Sequence, residues 1–299
     1  MSNTPATPSR RRLSPAERRL WPTADGSPTT DFTLNGETRV AVAGDWESDI
    51  EGTTAALHLL RRTAPDVRTI LHLGDLRYAE PTRSRGGRSS AKPFIVALDA
   101  LLAEHGIVRL LLTPGNHDWW QQLHEEFGRH PDRMYRVAHR IWIAPRGFRW
   151  ELDGATFMSF GGAASLGRGL RSATWSQREV PDALEVAAAA ADGDVDVLLL
   201  HEAVDAGIST VDAAIRSRRW SADRRLASQR SRELVTELRE GVHPRLTFHG
   251  HMHVHGSVTL EDGSQVHSLA VVRRSGNLAL LRIHDLAVTW LHNPPFSGP

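Results

Sequence analysis

Leu110-Leu111-Leu112-Thr113-Pro114-Gly115-Asn116-His117-Asp118 takes an apolar run of strand length straight into a turn that holds an amide, an imidazole and a carboxylate. Reacting groups in open α/β sheets gather at such carboxyl ends of strands. The same grammar recurs upstream, where Val40-Ala41-Val42-Ala43 runs into Gly44-Asp45 and Thr69-Ile70-Leu71-His72-Leu73 runs into Gly74-Asp75. It recurs downstream, where Val197-Leu198-Leu199-Leu200 ends at His201 and Leu246-Thr247-Phe248 ends at His249-Gly250-His251-Met252-His253. Five strand ends thus bring Asp, Asn and His to what can be one common edge, a donor set suited to metal ions.

The composition frames this reading. A chain of 299 residues that is 40% hydrophobic and 24% charged is an ordinary globular protein, expected to form one large α/β domain. No run of about 18 apolar residues offers a membrane span. The N-terminal stretch is polar and basic without a secretory core, so the expected location is cytoplasmic. With no cysteine, thiolate sites are excluded and any metal must be held by nitrogen and oxygen. A net charge of +1 argues against a protein that mainly coats nucleic acid. Nearly all the positive charge is arginine, Lys92 being the single lysine.

Residues 1–36, rich in Ser, Thr, Pro and Arg, read as a flexible basic tail, with a short helix from Ser14 conceivable within it. From there strand and helix patterns alternate: strand 38–43, helix 50–63, strand 68–73, helix 93–105, strand 107–112. Such alternation implies βαβ units and a largely parallel sheet. Residues 81–90 form a loop beyond Asp75 that could act as a lid. A short helix starts at Trp119, and residues 141–150 read as irregular. Residues 151–160 read as a hairpin turning at Asp153-Gly154. An Ala-rich helix over 181–191 leads to the strand that ends at His201, and residues 221–240 form a helix with a Ser N-cap. Its arginines, interleaved with Asp and Glu, read as a solvated face. Strands close the chain up to residue 291, so the folded domain is expected over 37–293 with a short C-terminal tail at 294–299.

Taken in order, Gly44-Asp45-Trp46-Glu47, Gly74-Asp75, Gly115-Asn116-His117-Asp118, His201 and Gly250-His251-Met252-His253 resemble the blocks of the calcineurin-like metallophosphoesterases. The stretches around Pro145-Arg146-Gly147-Phe148-Arg149-Trp150, Gly161-Gly162-Ala163 and Trp175 to Pro181 also look like a bacterial and phage-type subgroup of them. The resemblance covers most of residues 38–255. It implies an αββα sandwich: two mixed β-sheets packed face to face with helices outside. It also implies a two-metal site in which Asp75 bridges, Asp45 and His253 hold the first ion, and Asn116, His201 and His251 hold the second. The ions implied are divalent, manganese first, with magnesium, iron or zinc as alternatives. The implied reaction is hydrolysis of a phosphomonoester or phosphodiester by a water that the dinuclear centre activates. His117 would assist the leaving group and Asp118 would orient its ring.

The first block departs from the family's Asp-x-His. Glu47 stands where histidine is expected, and it can be a carboxylate ligand, a lost ligand or the mark of a weak first site. Tyr78 offers another reading, because Gly74-Asp75-Leu76-Arg77-Tyr78 has the form seen in purple acid phosphatases, whose tyrosine binds iron. Arg146, Arg149 and Arg168 or Arg171 lie in loops that could return to grip phosphate. The implied partner is a phosphate-ester small molecule or nucleotide; nucleic acid is not favoured and no membrane is involved. Two rivals stand beside the hydrolase: a phosphoesterase-fold binding or regulatory module, with catalysis ended by the Glu47 change, and a nuclease guided by the N-terminal arginines.

Overall fold

The computed structural model describes residues 21–23, 26–78, 92–165, 177–217 and 219–292. The expected tail up to residue 20, the loop at 81–90, Arg168, Arg171 and the tail at 294–299 lie outside the described residues. Thirteen strands and six α-helices are found among those described. They form two sheets. The first has strand order β13-β12-β1-β2-β3-β5-β4, with β1 (Arg39–Ala43), β2 (Thr69–His72), β3 (Arg109–Leu112) and β5 (Ile141–Ile143) parallel at its centre. The antiparallel strands β12 (Leu278–Arg282), β13 (Val288–Leu291) and β4 (Tyr135–Arg136) complete it. The second has order β10-β11-β9-β8-β7-β6. Its parallel centre is β7 (Ala155–Phe160), β8 (Val197–Leu200), β9 (Leu246–His249) and β11 (Gln265–Ser268). β6 (Phe148–Leu152) and β10 (Gly256–Thr259) are its antiparallel edges.

The period-2 alternation of side chains along a strand sorts the apolar residues into three layers. Val40, Val42, Leu71, Leu111, Val197, Leu199 and Phe248 meet between the sheets. Ala41, Ala43, Ile70, Leu110 and Leu112 face outward against helices α1 (Ile50–Thr63) and α2 (Lys92–Glu104), with Leu123 of α3 (Trp120–Arg129) in the same cluster. On the other side Met158, Leu198 and Leu200 pack under α4 (Ala183–Ala190), α5 (Ser209–Ser217) and α6 (Ala222–Val242). This is the expected αββα arrangement, the strands needing apolar residues at nearly every position because both faces are covered. No helix among the described residues is long and apolar enough to cross a membrane.

Local signals explain the element ends. Asp49 caps α1, accepting from Gly52 N at 3.0 Å. Asp182 and Glu185 form a full capping box on α4. The hairpin turns at Asp153 (φ 48°) and Gly154 (φ 80°), both in the left-handed region that a tight two-residue turn requires. Ser221 is the N-cap residue of α6, as expected, without a side-chain hydrogen bond.

Three readings need correction. Residues 141–150 are not irregular: Ile141–Ile143 is a parallel strand beside β3, too short to show a period, and Phe148–Leu152 is the first strand of the hairpin. α5, which follows the loop after His201, escaped the sequence reading. The folded body also begins before residue 37. Phe32 is fully buried and its N–H donates to Glu151 O at 2.9 Å, and Leu34 is buried too. These two apolar residues are spaced as an edge-strand pair within an otherwise polar stretch, which hid them.

At the end of the first sheet opposite the strand termini quoted above, a buried ion pair joins three segments. Arg109, at the start of β3, donates to Glu37 Oε2 (3.2 Å), Thr69 Oγ1 (2.8 Å) and Pro22 O (2.6 Å). Glu37 also accepts from Arg68 N and Thr69 Oγ1. Removing one partner leaves a buried charge uncompensated, so Glu37→Ala should lower the unfolding free energy by about 3 kcal/mol in a urea titration. A loss of less than about 1 kcal/mol would show that the pair contributes only as much as an exposed one.

Candidate metal centre

The five predicted strand ends meet at one edge of the sandwich. β1, β2 and β3 are neighbours in one sheet, β8 and β9 in the other, and their carboxyl ends face each other across the inner layer. Just beneath the site the sheets are tied by Ser159 Oγ, which donates to Thr113 Oγ1 at 2.9 Å. Three groups of side chains offer ligand atoms within 4.8 Å of one another: Asp75, His201 and His251; Asp45, Asp75 and His253; Glu47, Asp75 and His117. Asp75 belongs to all three.

Close backbone approach makes this possible. A Cβ on Gly115 would lie 2.2 Å from Asp75 Oδ1, one on Gly74 would lie 2.3 Å from His201 Nδ1, and one on Gly250 would lie 2.2 Å from Asp45 Oδ1. Gly74 has φ 101°, and Asp75, His251 and His253 are themselves left-handed at φ 50°, 63° and 60°. Backbone amides hold the carboxylates in turn: His117 N donates to Asp75 Oδ1 at 2.8 Å, and His251 N to Asp45 Oδ2 at 3.1 Å.

The donor set fits cations. His201 Nδ1 bonds Leu73 O at 2.6 Å, so Nδ1 carries the proton there and Nε2 faces inward. Nε2 lies 3.0 Å from Asn116 Oδ1 and 3.4 Å from Asp75 Oδ1, both acceptors. Asn116 is fixed in this sense because its Nδ2 donates to Ser165 Oγ at 2.9 Å. Three inward acceptors need a positive charge among them, whether proton or metal. Burial alone would lower the His201 pKa, yet Asp75 and Asp45 raise it to about 10. His253 Nε2, 3.0 Å from Asp45 Oδ2 and 3.5 Å from Glu47 Oε1, is likewise lifted against burial, to about 9. Asp75 is held well below the usual carboxylate range: burial works against this, and His201, His117 and His251 outweigh it. A ring whose second nitrogen is pinned by a carbonyl is the usual setting of a metal-binding histidine.

Every residue expected at the centre from the sequence is at this edge: Asp45, Glu47, Asp75, Asn116, His117, Asp118, His201, His251 and His253. Trp46 points the other way, buried against His72 with ring centroids 4.7 Å apart. Several roles differ from expectation. Asp118 does not orient the His117 ring: its oxygens accept from Gly115 N (2.8 Å) and Tyr78 N (2.9 Å), bracing two loops. Its pKa rises to about 7, chiefly through burial and then through the charge of Asp75. Tyr78 is not turned to the carboxylates. Its hydroxyl donates to Gln122 Oε1 at 2.7 Å beside Tyr135, and burial pushes its pKa far up.

Nor do Arg146 and Arg149 reach for phosphate. Arg146 is stacked on Trp120 at 4.1 Å and donates to Gly161 O, Arg178 O, Glu179 O and Glu185. Arg149 donates to the carbonyls of Ala189, Asp192, Gly193 and Asp194 at the end of α4. Both are spent on backbone acceptors that no side chain pattern reveals. Conversely, Ser165 and Glu202 were missed. Glu202 is fully buried, accepts from Ala164 N and Ala203 N, and brings Oε1 to 3.8 Å from His251 Nε2. Its position directly after His201 was the available signal.

A family model for calcineurin-like phosphoesterases matches residues 38–255, and the chain belongs to that family. Among solved structures it is similar to a dimetal phosphatase from Danio rerio, at 12% identity and TM-score 0.53, over 86% of this chain and 99% of that one. A protein of Thermus thermophilus is similar at 14% identity and TM-score 0.49, over 84% and 97% of the two chains. At 12% identity the likeness to the Danio rerio protein is one of fold. Comparison with curated protein sequences gives no match. Family and ligand groups together make the chain a metal-dependent phosphoesterase.

Two substitutions test the site's construction. Gly115→Ala should lower metal affinity about tenfold or more, read by titration with manganese, because the added methyl displaces Asp75. Tyr78→Phe should leave metal stoichiometry unchanged and cost about 1 kcal/mol of stability through the lost Gln122 bond. A drop in bound metal on Tyr78→Phe would restore the tyrosine as a ligand.

Proposed function

We propose that the chain hydrolyses small-molecule phosphate esters with two divalent cations that share Asp75. The observation that carries this reading is the membership of Asp75 in both the Asp75, His201, His251 group and the Asp45, Asp75, His253 group, so that its carboxylate would help to hold both ions. Asn116 Oδ1 joins the first of these groups through its place beside His201 Nε2. The Danio rerio neighbour, described as a dimetal phosphatase, supports the same reading. Manganese is the preferred ion because carboxylate and amide oxygens are as numerous here as imidazoles. When bound, the two cations supply an activated water and offset the charge of the phosphate oxygens.

The remaining chemistry falls to the protein. His117 is tethered through its backbone N–H to Asp75, and its ring, 40% exposed, stands with Nε2 4.0 Å from Asp75 Oδ2. It is therefore the side chain free to meet substrate at the mouth, and it donates a proton to the departing oxygen. Asp118 keeps His117 in place indirectly, by bonding Gly115 N and so holding the turn that carries it. His201 and Asn116, locked by Leu73 O and Ser165, keep their inward atoms fixed and need no rearrangement during turnover.

Manganese-loaded protein should hydrolyse p-nitrophenyl phosphate or bis-p-nitrophenyl phosphate. His117→Ala should lower kcat by about 100-fold or more, with metal content by elemental analysis unchanged. Hydrolysis of neither ester above the His117→Ala background would remove the phosphoesterase reading and leave a metal-binding module.

A further inference from the structure

Glu47 and Arg77 sit on either side of Asp75 in a corner where the backbone is held left-handed at four non-glycine residues: Glu47 (φ 51°), Ser48 (58°), Asp75 (50°) and Arg77 (59°). L-residues disfavour this region, and strain so concentrated persists where the surroundings fix it for a purpose. Here it brings two side chains together. The Glu47 carboxylate is divided: Oε1 lies 3.5 Å from His253 Nε2, and Oε2 accepts from Arg77 Nε. Because Arg77 is anchored through Nε, the two terminal nitrogens of its guanidinium have no protein partner among the described residues. The side chain is 46% exposed. The carboxylate that anchors it also belongs, with Asp75 and His117, to a group whose ligand atoms lie within 4.8 Å of one another.

The charge balance links the two residues. A glutamate in the first block, where the family pattern has histidine, adds a negative charge to Asp45 and Asp75, and Arg77 returns it. An imidazole with one nitrogen on a metal has no second acceptor with which to hold a guanidinium, whereas a carboxylate has one. We propose that Arg77, anchored by Glu47, is a substrate-phosphate ligand beside His117, and that it favours dianionic phosphomonoesters over singly charged diesters. This rests on the phosphoesterase reading above. A guanidinium fork matches two non-bridging phosphate oxygens, and its attraction grows with the charge they carry. A diester has one ionisable oxygen fewer to offer.

The test is calorimetric titration of manganese-loaded protein with inorganic phosphate, for the wild type, Arg77→Ala and Arg77→Lys, alongside kcat/KM for p-nitrophenyl phosphate and bis-p-nitrophenyl phosphate. Arg77→Ala should weaken phosphate binding about 10- to 100-fold, with metal content at the wild-type level. It should lower the monoester-to-diester ratio of kcat/KM by a similar factor, mostly through KM. Arg77→Lys, a point charge without the fork, should recover part of the affinity. Unchanged phosphate affinity in Arg77→Ala would overturn the proposal, and so would loss of metal in parallel with phosphate, since Arg77 would then only support the ligand set. If the wild type cleaves neither ester, the phosphoesterase reading fails, while the titration still decides whether Arg77 holds phosphate.

Discussion

The structure depends on placing Asp75 where three groups of potential ligands converge while keeping it almost wholly out of water. A buried carboxylate with neighbours of like charge is costly unless cations and hydrogen bonds surround it. Asp75 receives a backbone N–H from His117, faces the Nε2 of His201 and sits above glycines that leave no room for a methyl group. The two sheets exist in the orientation that makes this possible. β1, β2 and β3 deliver Asp45, Asp75 and Asn116 from one side, and β8 and β9 deliver His201, His251 and His253 from the other.

Arginine has two distinct uses in this molecule. Arg109, Arg146 and Arg149 are structural, each donating to several carbonyls or a carboxylate and tying segments distant in sequence. Their value lies in satisfying backbone acceptors that would otherwise be buried and unpaired. Arg77 differs because, among the described residues, a single nitrogen of its guanidinium is engaged, by Glu47, and the side chain is 46% exposed. A chain with one lysine must draw both kinds of cation from arginine, so charge in the sequence does not separate them.

The exchange at the first block acquires a physical reason once the pair is seen. Glu47 taken alone adds negative charge to a cluster that already holds two aspartates, and would weaken the pull on any bound water. With Arg77 bonded to its outer oxygen, the corner carries the same net charge as a neutral imidazole would give. Its inner oxygen still faces His253, and the carboxylate belongs to a group with Asp75 and His117. Glu47 is thus both near the metal centre and part of an ion pair at its rim.

The sequence by itself determined the βαβ alternation, the ends of the central strands and the residues that gather at them. These are local matters: an apolar run long enough for a strand, followed by glycine and a donor, is written in consecutive letters. It did not show that Ile141–Ile143 is a strand, because three residues carry no period. It did not show that Phe32 and Leu34 join the core, because burial of an isolated residue depends on what lies opposite. The partners of Arg146, Tyr78, Asp118 and Glu202 were decided by tertiary structure alone. Each is set by a carbonyl, amide or ring brought close by packing of segments remote in the chain, and a backbone acceptor looks the same at every position of a sequence.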